Sequence, residues 1–164
     1  MTNMHGTKWV AAACAGLALA SAAAASAGGA RGLVVQKGIH GVRLGMTQAQ
    51  VKATAGTPRK VERTTTELGS STIYRYRTYT VTFFNHTRVS QVATQSVVER
   101  TTNGIGVGSS RAAVAAKVPG AKCVKEVGYD HCYVGTWKAG ATITDFAIGA
   151  GGRVGRVSIG YVID

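Results

Sequence analysis

Acidic residues are scarce in this chain: seven Asp and Glu stand against nineteen Lys and Arg. The few carboxylates are scattered, and no spacing selects a pair of them for acid–base chemistry. Cysteine is limited to three residues and histidine to four. Past the N-terminal region the histidines are His40, His86 and His131, and none lies at metal-ligand spacing with another His, Cys or carboxylate. The neighbours Asp130 and His131 are no exception, because successive residues of a strand point to opposite faces. The chain has no Gly-x-Ser-x-Gly elbow. Gly104-Ile-Gly106-Val-Gly108 resembles a phosphate loop only superficially: it lacks the lysine and the βαβ setting, and reads as a flexible inter-repeat turn. The expectation is a protein with no catalytic residues, no metal site and no cofactor.

A long, strongly apolar run is also missing. Val10 to Ala25 carries no charge, but it is mostly alanine and too short and weakly apolar to stay in a bilayer. It is followed by Ala25-Ser26-Ala27, a small-x-small cleavage site. The segment 1–27 therefore reads as a signal peptide removed after about Ala27, giving a secreted protein of the extracellular or cell-wall space. Two alternatives stand beside it: a membrane anchor, and a lipid anchor on Cys14, where Ala11 occupies the position that usually holds a leucine-like residue. On the leading reading the mature protein has no transmembrane segment.

Positive charge is what the chain has in plenty. The formal net charge is +12, of which the leader carries only Lys8. Such an excess acts on solubility and on attraction to anionic surfaces. Outside the cell the available partners are an acidic extracellular protein or an anionic cell-wall polymer, and nucleic acid is not expected. Removal of the leader also leaves an even pair of cysteines, Cys123 and Cys132. In an exported protein they are expected to form a disulfide, the alternative being two reduced, buried thiols.

Residues 28–38 are glycine-rich and read as a flexible lead-in. Beyond them the chain matches itself. Gly41, Gly45, Ala49, Val51 and Ala53 align with Gly104, Gly108, Ala112, Val114 and Ala116. Further on, Arg88, Val89 and Val92 align with Arg153, Val154 and Val157. Two matched segments in the same order suggest tandem copies of one unit, 39–100 and 103–164. Each opens on a short helix, capped by Thr47 or Ser110 and stopped by Gly56-Thr57-Pro58 or Pro119-Gly120. β-branched and aromatic runs broken by turn residues then predict about four antiparallel strands in each half. The expected fold class is α+β: two tandem units, each a short helical segment packed on a roughly four-stranded antiparallel sheet.

The run Gly-Val-Arg-Leu-Gly-Met-Thr-Gln-Ala-Gln-Val at 41–51, followed by Gly56-Thr57-Pro58 and a strand, resembles the opening of BamE/SmpA-like and beta-lactamase-inhibitory-protein-like modules. The resemblance implies a helical segment on a four-stranded sheet, and the inhibitory proteins are exported tandem pairs of that module. The close on Thr144-Asp145-Phe146 and Val162-Ile163-Asp164 is also similar to that of secreted actinobacterial proteins.

The stretch Thr72 to Tyr79 holds the most suggestive side chains. As a strand it places Ile73, Arg75 and Arg77 on one face and Tyr74 and Tyr76 on the other. It reads either as an ordinary amphipathic strand or as part of a recognition surface, since tyrosine and arginine are favoured at contacts. Tyr129, Asp130 and His131 form a second acidic-aromatic candidate. The leading functional expectation is a secreted, non-enzymatic binding or cell-envelope-associated module. One alternative is an inhibitor of an extracellular enzyme, acting through a protruding loop such as Tyr129 to His131. Another is a small hydrolase, which would need a histidine gathered with a carboxylate and a hydroxyl.

Overall fold

The helix α1, Gln48–Ala55, starts where a hydroxyl can close its first turn. The Thr47 side chain accepts from the Gln50 N–H, and the Gln50 side chain accepts in return from the Thr47 N–H. Gly56, at φ 77°, takes the chain out in a conformation that favours glycine. Helix α2, Arg111–Lys117, is capped in the same way by Ser110, which accepts from the Ala113 N–H. Each helix is short and buries one central valine, Val51 and Val114, both fully enclosed. The computed structural model describes residues 32–163, apart from Leu68 and Val127. The expected signal peptide, 1–27, lies outside the described residues. Among those described, no helix is long and apolar enough to cross a membrane.

About half of the described chain is antiparallel strand. Strands β1 (Leu33–Val34), β2 (Gly38–Ile39) and β3 (Val42–Arg43) make a small three-stranded sheet. After α1 come β4 (Lys60–Thr66), β5 (Gly69–Arg75), β6 (Thr80–Phe84) and β7 (Arg88–Thr94). After α2 come β8 (Lys122–Glu126), β9 (Tyr129–Gly135), β10 (Thr142–Ile148) and β11 (Val154–Tyr161). These eight strands form one sheet in the order β4-β5-β6-β7-β11-β10-β9-β8.

That order overturns the expected pair of tandem helix-on-sheet units. The last strand of each half lies beside the other, with Val157 opposite Thr94 and Ile159 opposite Val92. Four strands standing alone would leave β7 and β11 as edges with open backbone groups and apolar side chains in water. Pairing them removes two edges and encloses Val92, Val157 and Ile159. The core is correspondingly continuous, holding Val51 and Val114 in a single cluster with Tyr74, Phe83 and Phe146. Matched contacts still recur within the merged sheet. Gly45 N–H donates to Val89 O and Val89 N–H to Met46 O, as Gly108 does to Val154 and Val154 to Ser109. Arg88 and Arg153 each donate a guanidinium N–H to the carbonyl of the matching glycine, Gly45 or Gly108.

Two segments expected to be flexible are built into the fold. Glycine content predicts a flexible lead-in over 28–38, of which 28–31 lie outside the described residues; in 32–38, Leu33 is 2% exposed and its N–H donates to Arg100 O. Burial of that one leucine, with Ile39 and Val42 beside it, anchors the segment. The Gly104–Gly108 segment is likewise packed, with Ile105 and Val107 buried and Arg100 bridged to Gly106.

Candidate binding face

One face of the large sheet carries the helices. The Tyr74 hydroxyl donates to Gln48 of α1, and Arg111 of α2 lies 2.7 Å from an oxygen of Asp130. Gln36 of the small sheet bonds Thr144 on the same side. Strand alternation then puts the neighbours of these residues on the opposite face. Among the described residues, neither helix nor the small sheet lies over that face. Its two ends differ in chemistry.

At the β5–β7–β11 end there is a groove of about 600 Å³. Arg75, Arg77 and Arg156 line it, with Thr80, Thr82 and Gln91 between them. Arg75 lies 2.8 Å from Glu62, which also meets Lys60 at 2.9 Å. The hydrogen bond from Arg75, with that from Lys60 second, holds the Glu62 carboxyl down to about 2. Arg156 donates to the Gln91 side-chain oxygen at 3.1 Å. Among the described residues no carboxylate pairs with Arg77 or Arg156. The groove is therefore open, basic and rich in hydroxyl and amide groups.

At the β9–β10 end the face is aromatic. Tyr129, His131 and Tyr133 alternate along β9, and Trp137 follows just beyond it. Ring centroids lie 4.3 Å apart for Tyr129 and His131, 5.8 Å for His131 and Trp137, and 5.5 Å for Tyr133 and Trp137. Beneath them sits Asp145, opposite Tyr133 in the β9–β10 ladder. One oxygen of Asp145 lies 2.7 Å from His131 Nδ1, and the other accepts from the Tyr129 hydroxyl at 3.0 Å. His131 and Asp145 are buried, while Tyr129 and Trp137 are 45% and 53% exposed. Burial, with the Asp145 charge second, pushes the Tyr129 hydroxyl up to about 12. No buried polar side-chain atom among the described residues lacks a hydrogen-bond partner, so the second nitrogen of His131, which has none, reaches solvent.

The residues singled out from the sequence are thus divided. Tyr74 is buried under α1, and Tyr76 stacks on Tyr79 with its hydroxyl on Gly56 O. Tyr74 is thus kept from the open face, whereas Tyr76 lines the groove beside Arg75 and Arg77. Tyr129 and His131 join the aromatic end, but Asp130 turns to the helical face and is held by Arg111. Tyr129 to His131 therefore form part of a strand and not the protruding loop expected of an inhibitor. The disulfide Cys123–Cys132 joins directly opposed residues of β8 and β9.

Sequence reasoning missed two histidine–carboxylate pairs. His131 was weighed against its neighbour Asp130, whereas its partner is fourteen residues on, across a hairpin. The β9–β10 register, had it been assigned, would have put Asp145 on the His131 face. His40 Nε2 meets Glu99 at 2.8 Å over a separation of 59 residues, which no local pattern signals. Thr78 also donates to Glu99. This trio gathers the groups a hydrolase uses, yet the threonine hydroxyl is turned to the carboxylate, and His40 Nδ1 is occupied by the Gly32 N–H. A nucleophile must face the base that activates it, and here it does not. Among the described residues there is no group of three His, Cys, Asp or Glu side chains placed to hold a metal.

Neither a protein-family model nor a curated protein sequence matches the chain. Solved structures similar to it include an extracellular protein containing an SCP domain from Bacillus anthracis, with TM-score 0.48 and 8% identity over 72% of this chain and 44% of that one. A DUF4309 family protein from Bacillus subtilis matches with TM-score 0.44 and 12% identity over 79% and 87%. A cysteine-rich secretory protein from Staphylococcus aureus matches with TM-score 0.45 and 11% identity over 80% and 49%. The chain spans less than half the length of the first and the third. None of the three is described as a BamE-like or inhibitory-protein-like module, and likeness at this level assigns no function.

Proposed function

We propose that the chain is an exported, non-enzymatic binding module whose open sheet face takes an anionic partner in the extracellular or cell-wall space. The carrying observation is the groove flanked by Arg75, Arg77 and Arg156 on a face that, among the described residues, no helix covers. The net charge of +12, all but the Lys8 charge of it outside the leader, steers an anion to the molecule, and the three guanidinium groups give it a place to settle. The Ala-rich segment ending in Ala25-Ser26-Ala27 and the disulfide Cys123–Cys132 support export, since disulfides persist in oxidising compartments.

The test is retention on cell-wall material and culture-medium polyanions at low and high salt. Retention at low salt and release near 1 M salt are expected, where screening acts within about 3 Å. Replacing Arg75, Arg77 and Arg156 by Glu abolishes retention. The same charge change at Arg63, Lys117 and Lys125, on the helical side, leaves most of it. Equal losses in the two triple variants would remove the open face from the account.

A further inference from the structure

We infer that the occupant of the open face is a carboxylated polysaccharide, with its sugar rings on the Tyr129–His131–Trp137 platform and its carboxylates on Arg156, Arg75 and Arg77. The inference rests on the anionic-partner reading and specifies the partner.

Three features of the face select this chemistry. The first is the platform itself. Tyr129 and Trp137 expose large aromatic surfaces although each belongs to a packed ring cluster. Asp145 fixes both Tyr129 and His131 from below, so the rings are held in place before any ligand arrives. The electron-rich face of such a ring meets the polarised C–H bonds of a sugar ring. His131, whose ring centroid lies 4.3 Å from that of Tyr129 and 5.8 Å from that of Trp137, has a second nitrogen without a hydrogen-bond partner among the described residues, which can exchange one with a sugar hydroxyl.

The second feature is what lies between Arg75 on β5 and Arg156 on β11. Thr80, Thr82 and Gln91 fill the middle of the groove. A protein interface concentrates its apolar and aromatic anchors at the centre and leaves polar groups to the rim. Here the order is reversed: the centre is hydroxyl and amide, with Tyr76 and Tyr79 beside Arg77 at one end and the Tyr129–Trp137 cluster beyond Arg156 at the other. A ligand bearing hydroxyls along its whole length matches that order.

The third feature is the arginine fork. Arg77 and Arg156 have no carboxylate partner among the described residues and are open to one, while Arg75, which Glu62 engages at 2.8 Å, adds a third guanidinium beside them. From β9 to β5 the sheet order spans five strand spacings, about 24 Å at roughly 4.8 Å each. A flexible extended polymer can reach both ends at once, whereas a small anion reaches one.

The test uses the full chain with Trp9→Phe, which leaves Trp137 as its only tryptophan. Polygalacturonate, poly-L-glutamate of equal charge, polyphosphate and neutral dextran are titrated while Trp137 emission is followed. Polygalacturonate is expected to shift the emission and to bind about tenfold more tightly than poly-L-glutamate or polyphosphate. Trp137→Ala, which leaves no tryptophan to report and is followed by isothermal titration calorimetry alongside the parent, is expected to lower polygalacturonate affinity by about tenfold, and dextran is expected not to bind. If all three polyanions bind equally and Trp137→Ala changes nothing, the polysaccharide inference fails and the anionic-partner reading stands. If the Arg75, Arg77 and Arg156 triple variant binds every polyanion as the parent does, the anionic-partner reading fails with it.

Discussion

The imidazole of His40 and the carboxylate of Glu99 meet at 2.8 Å across 59 residues, with the Glu99 side chain 3% exposed. His40 stands in the turn between β2 and β3 at φ 49°, a conformation seldom taken by residues other than glycine. Glu99 belongs to the segment linking β7 to α2. The contact therefore clasps the small sheet to the centre of the molecule.

Removing the imidazole strands a buried carboxylate with only the Thr78 hydroxyl. His40→Asn, which tolerates the positive φ, is expected to cost about 2–3 kcal/mol, and Glu99→Gln about 1 kcal/mol. Denaturant unfolding of the two variants tests the order. If Glu99→Gln costs more than His40→Asn, the clasp does not work as described.

Gly106 occupies the place that Arg43 holds in the first matched segment. Arg43 is exposed, whereas a Cβ on Gly106 would run into the carbonyl oxygen of Glu99. Gly106→Ala is expected to destabilise by about 2–3 kcal/mol through forced backbone displacement. Gly104→Ala provides the comparison at a site with open space, where only its φ of 75° is strained. Equal melting temperatures for Gly106→Ala and the parent would contradict the close approach.

The Cys123–Cys132 bond closes a loop of sequence separation 9 at the edge hairpin. Its reduction is expected to lower stability by about 2–3 kcal/mol, with the loss concentrated in amide protection of β8 and β9. Matching thermal melts with and without reductant would show that the bond adds nothing to the hairpin.

The Tyr129 hydroxyl is held up at about 12 by burial and by Asp145. The folded chain keeps this proton while the unfolded chain, at the ordinary value near 10, releases it. Stability contributed by this group is thus full below about pH 10 and falls between about pH 10 and 12. Burial also raises the hydroxyls of Tyr76 and Tyr79, so ultraviolet titration of phenolate should show several late-ionising groups, with one fewer in Tyr129→Phe. An unchanged titration curve in that variant would show that Tyr129 is not among them.

Much of the local structure was legible in order. The hydroxyl of Thr47 followed by Gln50, and the Gly56-Thr57-Pro58 stop, bound α1 at the residues where it lies. The Tyr74/Arg75 alternation assigned two faces to β5 because side-chain direction in a strand depends only on parity. The lead-in was misjudged because glycine content speaks of backbone freedom and not of the burial of Leu33.

The candidate face was legible only in fragments. Arg75, Arg77, Tyr129 and His131 stood out by type, but their association did not. Asp145 and Arg156 join them through the registers of β9 with β10 and of β10 with β11, and Trp137 through its ring contacts with His131 and Tyr133.

The sequence by itself determined the short capped helices, the strand-and-turn rhythm, the excess of positive charge and the pairing of the last two cysteines, because each depends on neighbouring residues or on a sum over all of them. Only the tertiary structure decided that two sets of four strands become one sheet, that Asp130 turns away from His131 while Asp145 turns toward it, and that His40 reaches Glu99. Those outcomes follow from which edges close against each other and which apolar side chains are buried together. That is a property of the whole chain, and no local window of residues contains it.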